Sequence, residues 1–123
     1  NMQEPSQIPV FDRVPLDELN EVGGPDLIRE LIELFFSDTP GLIAELEGAI
    51  VSEDWDAMGH IAHTLKSSSY YMGAVLLSDI GRAIEATSIS PSPEAAKNFA
   101  GQAGAAFELV KCKLSDFAGS LQK

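Results

Sequence analysis

Between Phe99 and Leu121 the apolar residues Phe99, Ala103, Phe107, Val110, Leu114, Phe117 and Leu121 fall at steps of four, four, three, four, three and four. That spacing keeps them on one stripe of a helix with 3.6 residues per turn and would scatter them over both faces of a strand. A long helix with one apolar seam must be covered by other helices, so this stretch constrains the fold more than any other. Gly101, Gly104 and Gly119 each cost about 1 kcal/mol relative to Ala in a helix interior, so packing rather than propensity has to hold it. Ser92 before Pro93 marks its start, a hydroxyl cap followed by a residue whose missing N–H falls among donors that are orphaned anyway.

Proline and glycine cut the rest of the chain into pieces of helical length. The spacing predicts a helix from Pro25 to about Ser37 carrying Leu27, Ile28, Leu31, Leu34 and Phe35. It predicts a second opened by Thr39 and Pro40, with Ile43, Leu46 and Ile50 on one side. Ser52 is read as the cap of a third, whose early Glu53, Asp54 and Asp56 suit the positive end of a helix dipole and which runs to about Met72. Gly73 interrupts it. A further segment from Ala74 to about Thr87 presents Leu77, Ile80 and Ile84, and Ser88 to Pro93 reads as a turn. Asp17 to Val22 is expected to make one short turn before Gly23 and Gly24. Short connections favour antiparallel neighbours, so the expected fold is all-α: an antiparallel up-down four-helix bundle with an additional N-terminal helical segment. Residues 1–10, with two prolines and little pattern, are read as a tail and residues 11–123 as the domain. The tail, with an Asn ahead of Met2, favours a piece of a longer chain. No internal repeat is present.

Charge narrows the partners. With 8 basic and 19 acidic residues among 123, the formal net charge is −11, whereas nucleic-acid phosphates and anionic membrane surfaces both call for clustered Lys and Arg. Neither is expected to bind. Apolar runs such as Leu31 to Phe36 fall far short of the ~20 residues a spanning helix needs, and no signal peptide is apparent. The single cysteine, Cys112, offers no internal disulfide and no thiolate cluster, which points weakly to a reducing, cytosolic setting. There is no Gly-rich phosphate loop and no recognisable Ser-His-Asp set, so most enzyme classes have nothing to stand on.

The informative stretch is His60 to Gly73, HIAHTLKSSSYYMG. Met58, Ile61, Leu65 and Met72 form its apolar stripe, and at about 100° per residue their mean direction lies opposite His63, which therefore faces solvent. Asp56, Gly59, His60, Lys66 and Ser67 share the His63 side, with Tyr70 two turns on. An ammonium three residues away disfavours a second positive charge on the ring, keeping it neutral and nucleophilic near pH 7, and would compensate a phosphoryl group arriving on it. Gly59 and Ser67 put little bulk between the imidazole and an approaching partner. For Ser68 and Ser69, on the inner half of the wheel, packing is the expected role, and Ser67 admits either.

At these residues the chain resembles the histidine-containing phosphotransfer (HPt) family, whose pattern is Ala-His-x-Leu-Lys-Gly-x-Ser followed by a Gly-Ala pair and a Leu-rich helix. Ala62, His63, Leu65, Lys66, Ser69, Gly73, Ala74 and Leu77 match in order. The upstream LDELNEVGGPDLIRELIELFFSDTP and the acidic-aromatic EDWDA also look like the family's, so the resemblance runs from about Phe11 to Phe117. It implies a phosphocarrier of a two-component phosphorelay rather than an enzyme, either free-standing or part of a hybrid sensor kinase. Such a carrier takes a phosphoryl group from the aspartyl phosphate of one receiver domain and passes it to another receiver's aspartate.

Carried over, His63 is the phosphoacceptor and Lys66 the charge-compensating neighbour. Glu85 stands where the family often has a Gln that orients the imidazole, Gly73 is the backbone stop, and Gly59, Ser67 and Tyr70 form the docking face. Ser67 departs from the family's usual glycine. The implied partners are receiver domains, met transiently by a monomer. No cofactor is expected on this chain, Mg²⁺ being supplied at the receiver's acidic pocket. Two rival readings remain. One is a weak metal site at His60 and His63 with Asp56 one turn before His60, which Lys66 opposes. The other is a helical adaptor whose histidine is incidental.

Overall fold

The computed structural model describes residues 7–121 and builds them into four helices: α1 (Val14–Val51), α2 (Trp55–Tyr71), α3 (Val75–Thr87) and α4 (Pro93–Gly119). Each helix packs on two neighbours in a ring, α1 on α2 and α4, and α3 on α2 and α4, as expected of an up-down bundle with short connections. Of the ten residues read as a tail, 1–6 lie outside the described residues, and Val10 packs against the core. Among the described residues no helix is long and apolar enough to cross a membrane.

The two helices expected at 25–37 and 40–50 are one. Ile28, Ile32, Phe35, Thr39, Ile43, Leu46 and Ile50 are buried along a single seam that runs straight past Pro40. A proline in a helix interior costs about 3 kcal/mol, but full burial of each large aliphatic side chain contributes about 1.5–3 kcal/mol. With several such residues on either side of Pro40, the seam outweighs the break. Leu34, expected in the stripe, is instead 54% exposed, and Ile32 takes its place. The break expected at Gly23 and Gly24 does occur: Gly24 has φ 83° and ψ 171°, a conformation open to glycine, and it sets a short first segment at an angle to the rest, with Pro25 opening the second.

Ser52 does not cap α2. Its hydroxyl closes α1 by donating to the Gly48 carbonyl at 2.9 Å. The chain then reverses through Glu53 at φ 56°, so the residue left in front of α2 is Asp54, whose Oδ1 accepts from the Ala57 amide at 3.1 Å. The Ser92 cap of α4 holds as expected, its Oγ accepting from the Ala95 amide at 3.3 Å. Along α4 the buried side chains are Ala96, Ala100, Ala103, Ala106, Phe107, Val110, Leu114 and Phe117. Phe99 and Leu121, the ends of the expected seam, are only partly covered. Phe107 sits at the α1–α4 contact with its ring centroid 5.8 Å from that of Phe35 and 6.4 Å from that of Phe36.

Gly73 does more than end α2. Its φ of 75° is left-handed, and a Cβ there would run into the Asp12 carbonyl. The Asp12 amide donates to the Gly73 carbonyl at 2.8 Å, Phe11 meets Phe117 edge-on at 5.8 Å, and the Arg13 guanidinium lies 5.1 Å over the Phe117 ring. The segment ahead of α1 is thereby strapped across the α2–α3 turn and the end of α4.

Candidate functional site

The buried side chains of α2 are Met58, Ala62, Leu65 and Ser69, at steps of four, three and four, with Ile61 only partly covered. This moves the apolar stripe slightly from its expected line and leaves His63 opposite it, with 60% of its side chain exposed. The imidazole is nevertheless held. Its Nδ1 lies 2.9 Å from Oε2 of Glu85, which arrives from α3, while the Lys66 ammonium donates to Oε1 of the same carboxylate at 2.7 Å. One carboxylate thus bridges the back of the ring and the nearby cation. The Lys66 hydrogen bond, and secondarily that from His63, hold the Glu85 carboxyl below the usual carboxylate range. Both hydrogen bonds therefore persist through neutral pH and are lost only as acid drives the pH down through that lowered value.

An ionised carboxylate only accepts, so the Nδ1 facing it carries the hydrogen, and in the neutral ring the lone pair is on Nε2. Helix spacing pairs His63 with Lys66, the resemblance adds Glu85 beside the ring, and the structure places the Glu85 carboxylate between the two. With Glu85 between them the local charge is shared three ways, and the cation is already engaged in the resting site.

Close approach of α2 and α3 makes this geometry possible. A Cβ on Gly81 would stand 3.0 Å from the Lys66 amide nitrogen and 3.2 Å from the Ala62 carbonyl oxygen, so the backbone of α3 lies nearly in contact with that of α2 one turn before Glu85. Ser78 Oγ donates to the Lys66 carbonyl at 3.0 Å, and Ser88 Oγ donates to the Glu85 carbonyl at 2.6 Å. Sequence reasoning missed Gly81, Ser78 and Ser88, and a small residue at the buried step between Leu77 and Ile84 was the available signal for the first. Gly59 faces α3 as well: a Cβ there would lie 2.8 Å from Ser88 Oγ, so its bare surface serves helix approach. Ser69 is wholly buried, and Ser68 Oγ donates to the Leu65 carbonyl at 3.3 Å, in keeping with packing roles for both.

One depression borders the imidazole and a second begins at Lys66. A shallow one of about 520 Å³ is bordered by Trp55, Gly59, His60, His63, Glu85 and Ile89. A larger one of about 850 Å³ lies between the first segment of α1, the end of α2 and the start of α3, with Val14, Val22, Tyr70, Tyr71 and Val75 on its walls and Lys66 at its edge. Tyr70 is 67% exposed and Val22 88% exposed, so the groove carries exposed apolar surface at the end of α2. Ser67 is half-buried on the same helix. Among the described residues no three His, Cys, Asp or Glu side chains converge to hold a metal ion. His60, the proposed partner of His63 in a metal site, has its Nδ1 3.1 Å from the Asp56 carbonyl oxygen.

A family model described as the Hpt domain matches residues 30–111. Comparison with curated proteins gives no match. Among solved structures, the crystal structure of histidine-containing phosphotransfer protein B (HptB) from Pseudomonas aeruginosa PAO1 is similar with a TM-score of 0.84 at 25% sequence identity. The match covers 93% of this chain and 98% of that one.

Proposed function

Because the chain belongs to the Hpt domain family, the histidine phosphotransfer modules of two-component phosphorelays, we propose that His63 is its phosphoacceptor, attacking through Nε2. The observation that carries this reading is the Glu85 carboxylate at 2.9 Å from Nδ1, which fixes the tautomer and turns the free lone pair outward. The Nε2 lone pair forms the N–P bond as the acyl O–P bond of a receiver's aspartyl phosphate breaks, its electrons leaving on the aspartate carboxylate. Reversal on a second receiver discharges the carrier. Such transfer asks for positioning and charge compensation rather than covalent machinery. Lys66 supplies compensation from this side, and Mg²⁺ held by the receiver's carboxylates supplies the rest.

The partner is a receiver domain seated over the exposed face of α2. The apolar walls of the 850 Å³ groove, continuous with Tyr70, give it a surface to bury, and the exchange has to be transient because the same face meets donor and acceptor in turn. The direct test is incubation with a phosphorylated receiver and mass measurement of this chain. A gain of one phosphoryl group, labile in acid and stable in base, is expected.

Lys66→Ala should slow transfer about tenfold to a hundredfold, the loss of a charge-assisted contact to phosphoryl oxygens being worth about 1.5–3 kcal/mol. Its thermal midpoint should barely move, since the Lys66–Glu85 pair is still about one-third exposed and solvent-accessible ion pairs contribute about 0–1 kcal/mol. Equal rates for variant and wild type across several receiver concentrations would remove Lys66 from the mechanism. Magnesium should be required for exchange between proteins, yet calorimetric titration of this chain alone at about 0.15 M salt, where diffuse attraction to its negative surface is screened, should give no stoichiometric isotherm. A saturable isotherm lost in His60→Gln would instead favour a metal site at His60 and His63.

A further inference from the structure

Glu85 faces the ring nitrogen that does not react. In the resting site a neutral amide oxygen could also accept the Nδ1 hydrogen, less strongly, and the carboxylate makes its largest difference when the ring becomes charged. When Nε2 takes a phosphoryl group and Nδ1 keeps its hydrogen, the ring becomes an imidazolium, and the Nδ1–H···Oε2 contact, until then charged on the acceptor side alone, becomes an ion pair charged on both sides. Resting on the reading of His63 as phosphoacceptor, we propose that Glu85 is a positioning residue for release: it holds the hydrogen on Nδ1 throughout the phosphorylated state, so that the phosphoryl group departs from an imidazolium.

The steps balance without an external acid or base. On loading, the Nε2 lone pair forms the N–P bond, the receiver's O–P bond breaks toward its carboxylate, and the Nδ1 hydrogen stays in place. On release the electrons of the N–P bond return to Nε2 and the ring leaves as neutral imidazole. If Nδ1 loses its hydrogen in between, the departing group is an imidazolate, a far poorer leaving group, and the phosphoryl group is stored rather than passed on.

The surroundings leave this task to Glu85. From α2 the charged or titratable neighbours are Asp56, His60 and Lys66. Asp56 and His60 line the shallow depression beside His63, and the His60 ring is held by the Asp56 backbone. Lys66 by itself would oppose a positive ring, but it is bound at 2.7 Å to the other oxygen of Glu85. From α3, Arg82 pairs with Asp79 at 2.8 Å. From α1, Asp38 lines a separate depression with Thr64 and Ser68. Glu85 is thus the one anion hydrogen-bonded to the ring among the described residues.

The test loads the full chain from a phosphorylated receiver, isolates it, and measures single-turnover release to a fresh receiver for wild type, Glu85→Gln and Glu85→Ala. At about pH 8.5 both variants should release roughly tenfold more slowly than wild type, the ring having lost its hydrogen, whereas at about pH 6, where solvent protonates it, the rates should agree within about twofold. The receiver's own pH dependence cancels in the ratio. A wild-type-to-variant ratio that is the same at both pH values marks Glu85 as merely structural and overturns the proposal, as does unchanged release at the higher pH. Failure of the wild-type chain to load overturns the phosphoacceptor reading and this proposal with it, while normal loading with a flat ratio overturns this one alone.

Discussion

His63→Gln should take up no phosphoryl group from a phosphorylated receiver and should unfold at nearly the wild-type temperature. The glutamine amide has no nucleophilic nitrogen, yet it has similar length and an N–H₂ that can still donate to Glu85 in place of Nδ1. The site is more than half exposed on the histidine side, and substitutions at such positions usually change stability by less than about 0.5 kcal/mol. The expected separation is therefore complete loss of uptake with the fold intact, read by mass and by thermal melting. His60→Gln should load normally, since the His60 ring is hydrogen-bonded to the Asp56 backbone of its own helix rather than to Glu85. Uptake by His63→Gln at the wild-type level, or an acid-stable label on a serine, would overturn the assignment. Ser67 is the serine to watch, since Ser69 is buried and Ser68 Oγ is turned to the Leu65 carbonyl.

What was legible in the chain was whatever a single helix encodes by its own period. The direction of His63 followed from the apolar residues of its own helix, and it survived a small error in that stripe because Met58, Leu65 and Met72 are buried as expected and alone place the histidine opposite. The continuity of α1 was hidden because its seam passes through Thr39, a polar residue that is 1% exposed, and because Pro40 next to it imitates a helix start. Ser52 was misread because a serine satisfies a helix's last carbonyls as readily as its first amides. Which oxygen of Glu85 faces which group, and that Lys66 is engaged by it, depends on the distance between α2 and α3, and no periodicity within one helix reports that. The signal lay in the small residues of the facing surfaces, which a reading for turns and helix breakers passes over.

Gly81 is where that distance is set, and its replacement should do the most damage for the fewest atoms. A Cβ at Gly81 would sit 3.0 Å from the Lys66 amide nitrogen and 3.1 Å from its Cα, and these are backbone atoms of a packed helix that cannot swing aside. For Gly81→Ala the gain in helix propensity, about 1 kcal/mol, opposes this crowding, and the sign of the result rests on how far α3 can yield. Gly81→Val removes the ambiguity: valine has less helix propensity than alanine, and its two further carbons demand that the helices part. Overpacking of this kind costs about 1–3 kcal/mol, which thermal or urea unfolding will register. Gly101→Ala on α4 is the control, since a Cβ there meets nothing within 4 Å and should leave stability unchanged or raised. Parting α2 from α3 also carries Glu85, one turn beyond Gly81, away from both Nδ1 of His63 and the Lys66 ammonium. Gly81→Val should therefore lose transfer activity while it is still folded, in the same pH-dependent manner as Glu85→Gln. A valine variant as stable and as active as wild type would mean that the two helices do not set the site.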